Sequence, residues 1–166
     1  MGEDLNRTEA IQKIAGMMKD IKIAMLSTIT PEGSIHSRPM ATQETEFAGE
    51  VWFLSRQDSG KTDEIQHNSR VTLNYVDSKS YCFVSLAGRA EISKDRSKIH
   101  ELWNPLYKAW FPQGEEDPQI TIIRVDVDQA EYWDSPGNGL IRGIQILKAA
   151  VTHGAAPVGE HQKIAV

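Results

Sequence analysis

Ile11, Ile14, Ala15 and Met18 recur at helical spacing behind Asn6 and Glu9, whose separation is that of a capping box. The chain is therefore predicted to open with a short amphipathic helix. The period then changes. From Ile21 to Ile29 apolar and β-branched residues crowd together, Thr30-Pro31-Glu32-Gly33 has turn chemistry, and Ile35 to Thr42 resumes as a strand. Residues 21–42 are thus predicted as a β-hairpin. Glu44 to Glu50 is a polar loop, and Val51-Trp52-Phe53-Leu54 is an unbroken apolar run that predicts a strand buried on both faces. Asp58 or Ser59 caps a brief helix to about Asn68, after which Val71, Leu73 and Tyr75 alternate with Thr72 and Asn74 as a half-buried strand.

Asp77-Ser78-Lys79-Ser80 turns the chain into a long strand from Tyr81 to Ile92, which Gly88 interrupts as a bulge or a close backbone approach would. Ile99, Leu102, Trp103, Leu106 and Trp110 share a helical face that Pro105 must bend or restart. Phe111-Pro112-Gln113-Gly114 ends that helix, and Glu115-Glu116-Asp117 is expected to be a solvated loop. Ile120 to Val127 predicts a strand, Tyr132-Trp133 a separate short one, and Leu140 to Val151 a closing helix stopped near Gly154. The last dozen residues show no period. Short turns between successive strands favour an antiparallel sheet, and six or seven such strands curl into a barrel. The expectation is one mainly β domain with flanking helices over residues 1–166, its ordered core spanning about 8–151 and residues 155–166 forming a mobile tail.

Composition narrows the partners. The 166 residues carry a net charge of -5 with Lys and Arg scattered and no polybasic run, which argues against nucleic acid. No stretch approaches the ~20 apolar residues of a membrane-spanning helix, and Met1-Gly2-Glu3-Asp4 lacks the apolar core of a signal segment. A cytoplasmic protein is expected. Cys82 is the only cysteine, so no intramolecular disulfide forms, and its apolar surroundings predict a buried, inert thiol. His36, His67, His100, His153 and His161 show no i, i+4 pairing and no cysteine partner, so no metal centre is expected. No residue stands out as a general acid or base.

Two segments break the regular pattern. In Ser37-Arg38-Pro39-Met40 a charge and a proline interrupt a sheet-like run, which requires an edge or a bulge, since proline donates nothing to a ladder. Arg38 there either snorkels to water or aims its guanidinium at a phosphate. Val51 to Ser55 is followed by Asp58-Ser59-Gly60-Lys61-Thr62, a buried strand leading into a helix with Ser, Gly and Lys at its start. That start is either a capped surface turn with a solvated lysine or an anion site of unpaired amides and positive dipole. Asp58 opposes the second reading by placing a like charge nearby.

The Ser-Arg-Pro-Met hairpin, the Trp-Phe-Leu-Ser then Asp-Ser-Gly-Lys segment, the Val-Ser-Leu-Ala-Gly-Arg-Ala strand and Tyr-Trp-Asp-Ser-Pro-Gly occur here in one order. In these pieces, over roughly Thr8 to Val151, the chain resembles the flavin-binding split-barrel superfamily typified by pyridoxine 5'-phosphate oxidase, and most closely its general stress protein 26-like branch. The resemblance implies a split β-barrel and bound FMN, with FAD as the alternative. It implies that Arg38, Ser59 and Lys61 hold the flavin phosphate, with Ser55 assisting. Main-chain groups of Pro39, Met40, Phe53 and Leu54 would line the isoalloxazine. It further implies a homodimer with flavin between the subunits and Trp133 supplied by the second subunit; a core or dimer-interface aromatic is the other reading of Trp133. Some relatives bind haem, and His153 or His161 in the tail is the minor alternative this raises, against the expectation of no metal site. Where the vitamin B6 oxidases carry a substrate-gripping Arg and His, this chain has Gly139 and Ile141, and Phe83 stands where they use a glutamine. The implied function is an oxidoreductase-type flavoprotein of unknown substrate that does not oxidise vitamin B6 phosphates. A flavin reservoir or sensor without turnover, or a dimeric interaction module, is the alternative.

Overall fold

The computed structural model describes residues 7–43, 45–134 and 160–166. The element order is α1 (Arg7–Met18), β1 (Ile23–Ile29), β2 (Ile35–Ala41), β3 (Glu50–Arg56), α2 (Gly60–His67), β4 (Arg70–Asp77), β5 (Cys82–Ser93), α3 (Arg96–Leu102), a 3-10 turn (Pro105–Ala109), β6 (Ile120–Asp134) and β7 (Glu160–Ala165). The Asn6 cap, the closing helix at 140–151 and its Gly154 stop, Gly139, Ile141 and His153 lie outside the described residues. No helix among the described residues is long and apolar enough to cross a membrane.

All strand pairs are antiparallel, in the order β2-β1-β4-β5-β6-β3, with β7 on β6. β3 takes the first half of one edge of β6, Ile120 to Asp126, and β7 takes the second half, Gln129 to Asp134. The main core lies inside the curled sheet, where Leu26, Phe53, Leu73, Tyr75, Val84, Ile123 and Tyr132 meet Ile14 and Met18 of α1. A second cluster, built on Ile99, Phe111, Ile120 and Ile122, covers the outer side of β3 and β6. The run Val51–Leu54 is therefore covered on both faces, Val51 and Phe53 by the main core, Trp52 and Leu54 by the second cluster.

Four expectations are corrected. Tyr132-Trp133 is not a separate strand. β6 runs unbroken, and the polar pair Asp128-Gln129 that seemed to end it is a bulge: Gly88 pairs with Val127 and Ala87 with Gln129, leaving Asp128 unmatched. Gly88 itself is fixed by close approach, since a Cβ there would sit 2.1 Å from the Asp126 carbonyl oxygen. The tail is not free beyond residue 159. Gln162, Ile164 and Val166 alternate inward, Ile164 and Val166 against the core, and the Val166 amide donates to the bulged Asp128 carbonyl at 3.0 Å. Leu106 and Trp110 do not share the buried face of Ile99 and Leu102, because Pro105 restarts the chain as a 3-10 turn with a different phase, leaving both exposed. Asp117 is not solvated. It is 2% exposed and accepts from the Gln119 amide at 2.8 Å, turning the chain into β6.

Candidate functional site

The two ends of the strand order meet at α2. That helix follows β3, yet its Glu64 receives hydrogen bonds from β1 and β2, so it spans the seam between the sheet's terminal strands. Arg38 lies on the β2 edge, as its neighbouring proline requires. The Thr42 amide donates to Lys22 and the Thr30 amide to Ser34, which sets the ladder phase. By the antiparallel alternation, Ser37, Pro39 and Ala41 turn their main-chain groups away from β1. Pro39 thus stands where its missing N–H would have faced open space. The same reasoning on β3, from Gln57 donating to Gln119 and Val127 to Gly49, turns Trp52, Leu54 and Arg56 to the open edge. Main-chain groups of Pro39 and Leu54 therefore face the seam. Those of Met40 and Phe53 are spent in the ladders, and their side chains are buried in the core.

Ser59, not Asp58, is the N-cap of α2, but its side chain does not cap the helix. Its hydroxyl instead donates to the Arg56 carbonyl at 2.9 Å and lies 3.3 Å from Ser55 Oγ and 3.1 Å from Thr62 Oγ1. The first turn thus keeps amides that no side chain of the described residues caps. A Cβ at Gly60 would meet nothing within 4 Å, so the space beside the helix start is open. Lys61, one residue on, makes no ion pair among the described residues. Burial lowers its pKa, as does repulsion from Arg38, against the attraction of Glu64 and Asp58. Asp58 is held by Arg56 through two hydrogen bonds of 2.9 and 3.1 Å, which answers much of its charge.

Arg38 is not free. Its Nη2 lies 2.6 Å from Glu64 Oε2, and its Nη1 donates to Thr28 Oγ1 at 2.5 Å, a hydroxyl that itself donates to Glu64. His36 Nδ1 is 2.8 Å from the other Glu64 oxygen. Burial by itself would push the Glu64 carboxyl up, but hydrogen bonds from Thr28, His36 and Arg38, with the Arg38 charge, bring it down to about 2. Arg38, Lys61 and Glu64 together carry one net positive charge at the start of a helix. Open amides with two cations beside them and a counter-ion on Glu64 have the charge pattern that an anion requires.

The sequence reading missed Glu64. The available signal was its place three residues after Lys61, one helical turn along α2, with Arg38 awaiting a partner. Trp133 lies elsewhere. Ser55 pairs with Thr121 near the start of β6, whereas Trp133 is near its end, ~40 Å further by strand contour. Trp133 is partly exposed and stacks on His161 with ring centroids 4.9 Å apart. His161 is engaged there and by Glu131 at 2.6 Å, and no group of potential metal ligands occurs among the described residues. Phe83 is opposite Trp133 across the ladder.

Residues 9–156 match the family model described as pyridoxamine 5'-phosphate oxidase like. The protein bli-3 of Neurospora crassa is 28% identical over 166 residues, covering 94% of this chain and 79% of that protein. Among solved structures, a protein of Jannaschia sp. CCS1 provisionally named general stress protein 26 superposes with TM-score 0.77 at 21% identity, over 96% of this chain and 99% of that one. The general stress FMN/FAD binding protein of Xanthomonas citri superposes with TM-score 0.67 at 28% identity, over 79% and 92%.

Proposed function

The chain belongs to the pyridoxamine 5'-phosphate oxidase-like family, with the split-barrel fold and general stress protein 26-like neighbours expected of it, and on that premise we propose that it binds a flavin nucleotide along the β2–β3 seam. One observation carries the reading: Arg38 from β2 and Lys61 from α2 converge on an uncapped, open helix start. Arg38, Lys61, Ser59 and the first amides of α2 would hold the phosphate, with Ser55 orienting Ser59. The outward main-chain groups of Pro39 and Leu54 would meet the polar edge of the ring, while Met40 and Phe53 fix the strands that carry them. The Xanthomonas citri relative binds FMN or FAD; FMN is proposed here, because the cations gathered at the seam answer a single terminal phosphate.

Bound flavin would supply hydride and electron transfer. The chain's part is to bind, orient and shield it. Glu64, held ionised, is no proton donor, so oxidoreductase chemistry here would draw on the cofactor with a donor and acceptor yet to be identified. Trp133 cannot reach the phosphate end of its own chain's seam and is proposed to act on a second copy's flavin within a homodimer. The test is to purify the protein, record its visible spectrum and weigh the chromophore released on denaturation, expecting FMN at about one per chain. Rapid reduction of the bound flavin by NADPH would favour an enzyme; a flavin that NADPH leaves oxidised would favour a reservoir or sensor. A protein that neither carries nor takes up flavin would overturn the proposal.

A further inference from the structure

His36, Arg38 and Met40 alternate along β2 and so share one of its faces. Met40 is buried in the core, Arg38 meets Glu64, and His36 continues the row to the end that α2 covers. His36 Nδ1 lies 2.8 Å from Glu64 Oε1, while Arg38 Nη2 lies 2.6 Å from Oε2. One carboxylate is thus divided between two basic side chains, and Thr28 donates to the oxygen that Arg38 uses. An ionised carboxylate only accepts hydrogen bonds. His36 therefore presents Nδ1–H to Glu64, and the proton that charges the ring enters at Nε2. The side chain is 58% exposed, which leaves that nitrogen within reach of water.

Histidine is the side chain whose charge changes between about pH 5 and 8. A proton on His36 would take Arg38, Lys61, Glu64 and His36 together from one net positive charge to two. It would also answer the Glu64 charge through Oε1, which loosens the hold of Oε2 on Arg38. Both effects favour an incoming anion. β1 faces His36 with Thr28, its cross-strand partner, which carries no charge. On α2, Lys61 and His67 stand one turn before and after Glu64, Asp63 lies beside it, and Glu32 belongs to the β1–β2 turn. Among the described residues none of these four bonds to His36, whose one partner is Glu64. We infer that His36 is a positioning residue of the proposed phosphate site: through Glu64 it sets how firmly Arg38 is held, so that phosphate binding tightens as pH falls. The inference rests on the flavin reading above. By linkage, a bound phosphate in turn raises the affinity of His36 for its proton.

The probe is FMN, titrated by fluorescence into the full chain, His36→Gln and His36→Lys at about pH 5.5 and about pH 8. A phosphate monoester takes up a proton of its own near pH ~6, so the variants are compared with the wild type at each pH separately. Glutamine keeps a donor for Glu64 but never titrates. The wild type should bind FMN about fivefold more tightly than His36→Gln at the lower pH and equally at the higher. Fivefold is on the order of one added charge felt across a partly wet site. His36→Lys, charged throughout, should exceed the wild type by the same factor at the higher pH and match it at the lower. Riboflavin, without the phosphate, should bind all three proteins alike at both. The position is exposed, so all three should unfold at similar temperatures, which separates changed binding from lost folding. Parallel FMN profiles for wild type and His36→Gln, or the same differences with riboflavin, would overturn this inference and leave the flavin reading standing. No binding of either flavin by any of the three would overturn the flavin reading, and this inference with it.

Discussion

Glu64 Oε2 and Arg38 Nη2 are 2.6 Å apart, joining a helix that follows β3 to the strand at the other end of the sheet. The contact closes the seam of the barrel on one side and occupies the cation proposed to hold a phosphate. Stability and binding therefore compete for one guanidinium, and the two effects of a substitution should carry opposite signs.

In Glu64→Gln the Arg38 charge loses its counter-ion while the helix keeps a polar side chain of similar shape. Both partners are largely buried, 22% and 11% exposed at the side chain, so breaking the pair should destabilise the protein by ~2–4 kcal/mol. FMN affinity should rise about tenfold, since the phosphate no longer competes with a carboxylate, a gain of ~1.4 kcal/mol. Urea unfolding and fluorescence titration measure the two. A variant that loses FMN affinity would show that Glu64 organises the site instead of competing for it.

Arg38→Ala and Lys61→Ala should each weaken FMN by ~1.5–3 kcal/mol, the range of charge-assisted hydrogen bonds. Riboflavin, which lacks the phosphate, should bind both variants as it binds the wild type. Equal losses for FMN and riboflavin would move the phosphate site elsewhere.

Acid stability gives a third measure. The Glu64 carboxyl titrates at about 2 in the folded chain against an ordinary value of 4.5. A lowered folded value means that the unfolded chain takes up the proton first. The stabilisation is thus complete above roughly pH 5.5 and is lost as pH falls through 4.5 towards 2. The full effect is about 3 kcal/mol by linkage. Denaturant midpoints between pH 7 and pH 3 should fall more steeply for the wild type than for Glu64→Gln, and parallel curves would show that the pair is not what holds the seam.

The edge position of Arg38 was legible in the sequence because proline beside it excludes a central strand, and the start of α2 because Ser, Gly and Lys follow a buried run. Glu64 was not legible. A glutamate on a short helix has the same appearance whether it meets water or an arginine 26 residues earlier in the chain, and only the closure of the sheet decides. β7 escaped for a related reason: Gln162 interrupts an alternation whose apolar members are only Ile164 and Val166. Gly88 was read correctly as a bulge or close approach, and it is both.

Gly88→Ala tests that reading. The new methyl would stand 2.1 Å from the Asp126 carbonyl oxygen and 3.0 Å from Val127 Cα, both backbone atoms of the paired strand. Neither moves without opening the β5–β6 ladder at its bulge, so the loss should reach ~3 kcal/mol or more, in the range of strongly destabilising substitutions. Thermal unfolding by circular dichroism measures it. A variant as stable as the wild type would show that the bulge shifts freely.

The last prediction concerns the outer face of the sheet. The ladder registers align Val76, Phe83 and Trp133 in one row across β4, β5 and β6, and continuing the β1–β4 register by one residue adds Ile23. Ile23 and Val76 are 53% and 55% exposed, unusual for aliphatic residues in such an alignment. An apolar row this continuous is what a partner surface requires, and Trp133, remote from its own chain's seam, lies within it. If the row is the homodimer interface, sedimentation of the wild type should give twice the chain mass. Val76→Lys should give the chain mass with an unchanged circular dichroism spectrum, because an exposed position tolerates the charge while an apolar interface does not. Flavin affinity should fall in the same variant, since the second subunit's tryptophan is removed with its chain. A monomeric wild type, or a Val76→Lys protein that remains a dimer, would place the interface elsewhere and leave Trp133 without the role proposed for it.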